Sequence, residues 1–365
     1  MNNIGAGDLR PSAPFILNNI ILMHMKRYGI LVNTLCLIAF ILVAQSAESR
    51  VWHQDSLGVE FQFTTVEMPR DYSGDVVSTV IRDESQCGAN RGVLYVHGFN
   101  DYFFQKEMAE QFVDSCYNFY AVDLRKYGRS FRKGQLHCDA RKISEYYPDI
   151  DSALSIMHDA GIDEVVLMGH STGGLVVASY MNHNPSSLVK AVILNSPFLE
   201  WNFNGFMRKV AIPAVSSLGR LFPSLKISQG DGTAYGESLD RDFHGEWKYN
   251  VEWKTLHPRK VTAGWIRCIT LAQKALKKHS DIKVPVLLMH SDKSVSTSKW
   301  EPGVMHADAV LNVKDIARIG AELGPEVTEK TIPGGMHDLV LSEKPVRELV
   351  YKTMFSWLDR HFAER

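Results

Sequence analysis

The sequence predicts an α/β fold built on a doubly wound, mainly parallel sheet. Short apolar runs of strand length alternate with helix-compatible segments along most of the chain, which is the pattern of successive βα units. Most of these runs are continuously apolar, as expected of strands buried on both faces of a parallel sheet. Polar residues follow the runs directly, at the carboxyl ends where open α/β sheets bind their ligands.

Eight strands and five main helices are predicted in chain order. The first two strands flank a turn at residues 71–74 and predict a hairpin. The later strands are separated by segments with helical spacing of apolar residues. The predicted strands are 59–68, 76–82, 92–96, 119–123, 165–168, 191–194, 284–289 and 327–332, and the predicted helices are 107–116, 150–160, one from 172 onward, 307–323 and 344–362.

A stretch over residues 201–281 interrupts the alternation. It contains many aromatic side chains among glycines and charged residues. It is too long for an ordinary α/β connection and too apolar for a disordered loop. We therefore expect a mostly helical cap between the sixth and seventh predicted strands, which divides the core into 48–200 and 282–365.

The N-terminal region, residues 1–47, resembles a secretory signal. Met25, Lys26 and Arg27 precede an apolar run over 28–43, and small residues follow around Ser46. This order predicts export to the periplasm or the exterior after cleavage near Ser46. Translation could begin at Met25, or residues 1–24 could form an unusually long n-region. A retained membrane anchor is the alternative, although the run is short for a span of about 20 residues.

Four cysteines remain after removal of such a segment. Cys87, Cys116, Cys138 and Cys268 allow one or two disulfides, or could equally be buried thiols in a domain of this size.

Residues 165–177 carry the strongest functional signal. Ser171 lies in the motif Gly-His-Ser-Thr-Gly between a predicted strand and a predicted helix, which is the context of a nucleophile elbow. Gly169 and Gly173 would keep side chains out of the close approach of strand and helix. The backbone N–H of Thr172, at the helix N-terminus, would face a developing oxyanion.

A serine nucleophile requires a base and an orienting acid. His337 follows the last predicted strand after a Gly-Gly turn, where the base is expected. Asp292 follows the preceding strand and is the predicted acid. Asp308 is the reserve candidate, because the inserted segment 294–305 could rearrange the loop.

The loop after the third predicted strand supplies the second predicted oxyanion donor. We assign that role to the backbone N–H of Phe99, with Gly98 keeping the backbone accessible. His97 and His170 are interpreted as structural hydrogen-bonding residues. Metal-binding, P-loop and dinucleotide motifs are absent from the sequence, so no cofactor and no metal are expected.

With these residues in place, the chain resembles the monoacylglycerol lipase and lysophospholipase branch of the α/β hydrolases, a group also described as serine-aminopeptidase-like. The resemblance runs from about Val93 to the C-terminus and includes His97-Gly98, the Ser171 motif and Gly335-Met336-His337-Asp338. It implies a Ser-His-Asp esterase whose cap shapes an acyl or alcohol pocket. The sequence departs from the family at Phe99-Asn100-Asp101, and it lacks the His-Gly-Gly-Pro motif of proline iminopeptidases.

The leading expectation is a serine hydrolase that cleaves carboxylic esters of lipids or other small hydrophobic molecules. An acyltransferase using the same acyl-enzyme and a non-catalytic ligand-binding protein are the alternatives. The net charge of −1 does not favour nucleic acid. Besides a small-molecule ester, the expected contacts are transient ones with membranes or lipid aggregates, and no protein partner is implied.

Overall fold

A mixed sheet of nine strands forms the centre of the part of the chain described by this computed structural model, residues 50–183 and 185–362. Its strands are β1 (His53–Gln54), β2 (Gln62–Asp71), β3 (Gly74–Asp83), β4 (Arg91–Val96), β5 (Asn118–Asp123), β6 (Glu164–His170), β7 (Val189–Asn195), β10 (Val286–Ser291) and β11 (Val327–Ile332), and β8 and β9 form a separate ribbon described below. The strand order across the sheet is β1-β2-β3-β5-β4-β6-β7-β10-β11.

The direction of the strands agrees with the predicted fold class. Strands β1, β2 and β3 pair antiparallel, and β3 is antiparallel to β5. From β5 through β4, β6, β7 and β10 to β11, every pairing is parallel. The doubly wound, mainly parallel α/β prediction is therefore confirmed, with an antiparallel edge formed by the predicted hairpin.

Helices cover both faces of the sheet and bury alternate strand residues. On one face, Leu94 and Leu167 belong to the same apolar cluster as α2 (Tyr147–Asp159), α3 (Thr172–His183) and α7 (Val313–Gly320). On the other face, their neighbours Val93 and Val166 pack with α1 (Lys106–Asp114) and α8 (Lys344–Phe362). This alternation explains why the strands read as continuously apolar runs.

One predicted helix is shorter than expected. The helix predicted over 307–323 begins only at Val313, because the side chain of Asn312 accepts a hydrogen bond from the Lys314 backbone N–H (3.0 Å) and caps it there. A 3₁₀ turn covers Pro302–His306 and ends before Ala307, which has an extended backbone. Residues 307–312 therefore form a loop.

The segment between β7 and β10 is helical only in part. It contains a π-helical turn (Met207–Ala211), α4 (Ile212–Leu221), α5 (Ala234–Leu239) and α6 (Ala263–Lys278), and a two-stranded ribbon joins β8 (Lys226–Ile227) to β9 (Val261–Thr262). Residues 240–260 are irregular. Helix α6 packs into the same apolar cluster as the sheet. The exact bounds of the cap, 201–281, stay a prediction.

The predicted signal segment, 1–47, lies outside the described residues. Within the described residues, no helix is long and apolar enough to cross a membrane. Of the four cysteines considered, Cys87 and Cys116 form a disulfide, and Cys138 and Cys268 are buried free thiols. Burial raises the pKa of the Cys138 thiol to about 12, so it is protonated at neutral pH.

Candidate active site

Ser171 lies in the turn between β6 and α3 and has a backbone φ of +52°. This left-handed conformation is costly for a residue with a side chain, and it is maintained by tight packing around the turn. A Cβ at position 173 would lie 2.3 Å from the Val96 carbonyl oxygen, and one at position 169 would lie 2.6 Å from the Gly173 carbonyl oxygen. Only glycine fits at these two positions, because strand and helix approach too closely there for a side chain, as the sequence pattern predicts.

His337 connects Ser171 to a buried carboxylate. The Ser171 hydroxyl is 2.9 Å from His337 Nε2, to which it can donate its proton. On the other side of the ring, His337 Nδ1 donates to Asp308 Oδ2 at 2.9 Å. All three residues are buried. Ser171, His337 and Asp308 thus form a continuous hydrogen-bonded chain across the carboxyl ends of three sheet strands.

The choice of Asp292 as the acid does not fit this geometry. Asp292 is exposed at the end of β10, where its Oδ1 accepts a hydrogen bond from the Gly334 backbone N–H (2.9 Å). The segment that follows Asp292 forms a loop, and a β-bridge between Ser294 and Asp308 closes it. The inserted loop therefore places the reserve candidate, Asp308, against His337 and leaves Asp292 to fix the turn before it.

Asp308 is held by its own loop. Its Oδ1 accepts hydrogen bonds from the backbone N–H groups of Val310 (2.8 Å) and Leu311 (2.7 Å). The Asp308 backbone N–H donates to the Lys293 carbonyl oxygen (2.9 Å). These bonds leave Oδ2 free to accept from His337 and keep the carboxylate in one orientation.

The two predicted oxyanion donors flank Ser171. Thr172 is the first residue of α3, so its N–H has no acceptor within the helix. A Cβ at Gly98 would lie 3.2 Å from the Ser171 Cβ, which shows how closely the loop carrying Phe99 approaches the serine. The roles of the Phe99 and Thr172 N–H groups stay predictions.

His97 and His170 have structural partners. His97 Nε2 accepts from the Leu124 backbone N–H (3.0 Å), so its Nδ1 donates to the Gly98 carbonyl oxygen (2.8 Å). His170 Nδ1 lies 3.2 Å from the Asn195 carbonyl oxygen. Burial lowers the pKa of His170, which favours its neutral form.

A polar network behind His337 was not predicted from the sequence. Asp338 accepts hydrogen bonds from Asn195 Nδ2 (2.7 Å) and Gln105 Nε2 (3.2 Å), and Asn195 Oδ1 accepts from the Leu339 N–H (3.3 Å). These bonds attach the loop carrying His337 to the end of β7. The partners are far apart in sequence, so spacing alone offers no signal for them.

A second unpredicted network joins the Phe99 loop to the cap. Asn100 Nδ2 donates to the Thr255 carbonyl oxygen (2.8 Å), and Asn100 Oδ1 accepts from Arg259 Nε (2.9 Å). Lys254 Nζ donates to Asp101 Oδ1 at 3.0 Å in a buried ion pair. Burial opposes ionisation of Asp101, but the charge of Lys254 lowers its pKa below the usual value. Asn100 and Asp101, at which the sequence departs from the family pattern, are thus the residues that hold this loop to the cap through side-chain contacts.

One buried cluster has the composition of a metal site. Side-chain atoms of Asp101, His170 and Asp338 lie within 4.8 Å of one another. However, Lys254 already supplies a positive charge to Asp101, and two amide groups donate to Asp338. The donor set therefore fits a structural polar cluster, and we derive no reaction step from it.

Tyr235 of α5 covers the site. Its ring lies 5.5 Å from the His337 ring, edge to face, and Ser171 retains only 8% of its exposure. Apolar cover of this kind excludes water and strengthens hydrogen bonds to the serine and histidine. Tyr235 was predicted only as one of the aromatic residues of the cap.

The fold and this arrangement at the strand ends define an α/β hydrolase of the lipase and esterase type. The chain belongs to the serine aminopeptidase, S33 (Hydrolase_4) family, whose model matches residues 89–344. Among curated proteins it is similar to phospholipase YtpA of Bacillus subtilis (strain 168), with 27% identity over 222 residues that cover 58% of this chain and 81% of the relative.

Two solved structures show the same fold at low identity. A soluble variant of the monoglyceride lipase of Saccharomyces cerevisiae, in complex with a substrate analogue, has a TM-score of 0.60 and 18% identity, covering 82% of this chain and 95% of that one. The monoacylglycerol lipase of Paleococcus ferrophilus has a TM-score of 0.58 and 20% identity, covering 82% of this chain and 99% of that one.

Proposed function

We propose that this protein is a serine hydrolase of carboxylic esters, with Ser171 as nucleophile, His337 as base and Asp308 as orienting acid. The observation that carries the proposal is the hydrogen-bonded chain from Ser171 through His337 to Asp308. Its two distances match the geometry of an activated serine nucleophile.

The reaction follows from these positions. His337 Nε2 takes the proton of Ser171 as its oxygen attacks the ester carbonyl carbon, and Asp308 stabilises the imidazolium that forms. The protonated His337 then donates that proton to the leaving alcohol as the ester C–O bond breaks. Water attacks the acyl-enzyme and gives a proton to His337, which returns it to Ser171 as the carboxylic acid leaves.

The carbonyl oxygen becomes negative in each tetrahedral intermediate. We place it between the backbone N–H groups of Phe99 and Thr172. Backbone donors that are fixed before reaction contribute strongly, since removal of one donor from such a site costs about 10²–10³ in kcat.

A lipid ester is the proposed substrate class. The curated relative is a phospholipase and the solved structures include two monoacylglycerol lipases. In this chain, residues 201–230 contain four basic residues and no Asp or Glu. The same stretch exposes Phe206, Leu221 and Phe222 at 69%, 73% and 60%. An apolar face with basic flanks suits transient contact with an anionic lipid surface.

An exported location is also proposed. The apolar run preceded by Lys26 and Arg27 supports it, and the Cys87–Cys116 disulfide is typical of oxidising compartments. Cleavage near Ser46 and retention as an anchor would be distinguished by N-terminal sequencing of the mature protein.

The test combines a covalent probe with a substrate panel. A fluorophosphonate should modify Ser171, and p-nitrophenyl esters from acetate to palmitate, monoacylglycerols and amino-acid amides should reveal an ester preference. Transfer to an added alcohol in place of hydrolysis would favour an acyltransferase. Absence of labelling at Ser171 in folded protein would favour ligand binding without catalysis.

A further inference from the structure

A cavity of about 270 Å³ lies beside the Phe99 loop. Its lining includes the aromatic residues Phe99 and Trp265 and the charged residues Lys226, Arg259, Lys260 and Asp139. The rings of Phe99 and Trp265 pack against each other at 4.6 Å. The residue whose backbone we place at the oxyanion therefore contributes its side chain to the wall of this cavity.

The cavity carries an excess of positive charge. Lys226 and Lys260 are exposed, and neither pairs with a carboxylate in the described ranges. Arg259 donates through Nε to Asn100 and through Nη2 to the Glu252 backbone, so both of these donors bond neutral partners. Among the described residues, none of these three cations forms a direct ion pair.

The acidic and imidazole groups of the lining offset this charge only in part. Asp139 accepts hydrogen bonds from Tyr72 (2.9 Å) and Thr262 (2.5 Å), which occupy both of its carboxylate oxygens. Burial and the nearby Arg259 charge lower the pKa of His137 to about 4, so it is neutral at physiological pH. Three cations against one anion leave a site that favours a negatively charged ligand.

We propose that this cavity binds an anionic phosphate on the alcohol half of the ester substrate, so that the enzyme selects lysophospholipid-like esters over neutral ones. The inference rests on the proposed function. The volume is slightly below the range of small-molecule sites, roughly 300–1,000 Å³, and suits a head group rather than a complete lipid. Phe99 and Trp265 provide the apolar contact, and Lys226, Arg259 and Lys260 bind the phosphate.

The test compares two esters that differ only in the phosphate. These are 1-octanoyl-glycerol and 1-octanoyl-lysophosphatidylglycerol, both used below aggregation so that surface binding does not contribute. For the Lys226→Gln/Lys260→Gln variant, the ratio of kcat/KM for the phosphate ester to that for the neutral ester should fall about 10–100-fold, because the variant loses two cationic partners that only the phosphate ester contacts. An unchanged ratio would overturn the proposal.

A matched control removes the same charge elsewhere in the cap. Lys274 and Lys278 are exposed on α6 and do not line the cavity. The Lys274→Gln/Lys278→Gln variant should keep the wild-type ratio. An equal fall in this control would assign the effect to overall charge and contradict a specific site.

A binding measurement separates this proposal from the proposed function. Calorimetric titration of Ser171→Ala with the non-hydrolysable ether analogue of the phosphate ester should show binding that weakens at least tenfold when Lys226→Gln/Lys260→Gln is added. Inorganic phosphate is the second titrant. If it binds in the cavity as tightly as the ether analogue and inhibits both esters equally, the cavity is a site for a free anion and substrate selection is refuted. If wild-type protein turns over neither ester while Ser171→Ala still binds the ether analogue in the cavity, the hydrolase alone is refuted and the binding site is retained.

Discussion

At the scale of single residues, the site depends on how little space surrounds Ser171. Its left-handed backbone is held between two glycines whose added Cβ atoms would overlap backbone oxygen atoms. The same turn places the Thr172 N–H at the start of α3. Strain stored at this turn is thus linked to the position of both the proposed nucleophile, Ser171, and the proposed oxyanion donor, the Thr172 N–H.

Ser171→Ala and His337→Ala should each lower kcat/KM for p-nitrophenyl esters by several orders of magnitude. Because the hydroxyl and the imidazole act as a unit, the double variant should be little worse than either single variant. Steady-state kinetics on all three proteins checks this. Additive losses, or near-wild-type turnover by Ser171→Ala, would be incompatible with the assigned roles.

Asp308→Asn and Asp292→Asn form a matched pair. Asp308→Asn, the change beside His337, should lower kcat about 10⁴-fold, which is the size of effect that the corresponding change has in serine proteases. Asp292→Asn, at the exposed turn, should lower kcat less than tenfold. Comparable losses for the two variants, in proteins with equal unfolding midpoints, would mean that the histidine is not oriented by Asp308.

The structure brings Ser171 and His337 together as the sequence predicts, but it pairs His337 with Asp308 and not with Asp292, and the reason is physical. The first two are specified by local features, a strand-turn-helix motif and a Gly-Gly turn after a strand. Asp308 reaches His337 because of a long-range bridge between Ser294 and Asp308 that closes an inserted loop. The helix predicted over 307–323 also hid this loop, because the spacing of apolar residues does not reveal that Asn312 is the N-cap at which the helix begins.

At the scale of elements, the link between the Phe99 loop and the cap rests on a buried ion pair. Asp101 and Lys254 retain 2% and 8% of their side-chain exposure. Removing one partner of such a pair leaves an unpaired buried charge, whereas removing both does not. The pair is therefore expected to determine how the cap sits over the loop.

Lys254→Met should lower the free energy of unfolding by about 3–5 kcal/mol, and Asp101→Asn/Lys254→Met should recover a large part of that loss. Denaturant unfolding of both variants and of Asp101→Asn measures the coupling. Arg70→Ala removes a pair whose side chains are 76% and 77% exposed and should cost at most about 1 kcal/mol. Equal costs for Arg70→Ala and Lys254→Met would contradict the importance of burial.

The strands were predicted well because their burial is a local property of sequence. Both ends of most strands fall within a few residues of the expected bounds, as for the fully buried β5 at Asn118–Asp123. The cap was harder because residues 240–260 have no regular secondary structure. Their conformation depends on contacts such as that between Asn100 and Thr255, which join distant parts of the chain.

At the scale of the whole molecule, an apolar face over 203–225 is exposed on the segment 201–230, which also carries four basic residues and no Asp or Glu. The side chains of Phe206, Leu221 and Phe222 lie on the exposed side of the π-helical turn and α4, while Ile212 and Ser216 face inward. Apolar side chains that are exposed in water gain free energy when they enter a lipid interface, by about 1.5–3 kcal/mol for each fully buried side chain. Such a face would bring the protein to aggregated substrate without a membrane-spanning helix.

Phe206→Ser/Leu221→Ser/Phe222→Ser should therefore lower binding to anionic phospholipid vesicles by at least tenfold in a sedimentation assay. Turnover of short, monodisperse esters should change much less, since that substrate needs no interface. The control is Phe243→Ser/Val251→Ser, which removes two other cap side chains that are each 51% exposed and lie outside α4. If the control loses vesicle binding to the same extent, or if the triple variant binds like wild type, contact with lipid does not occur through this face.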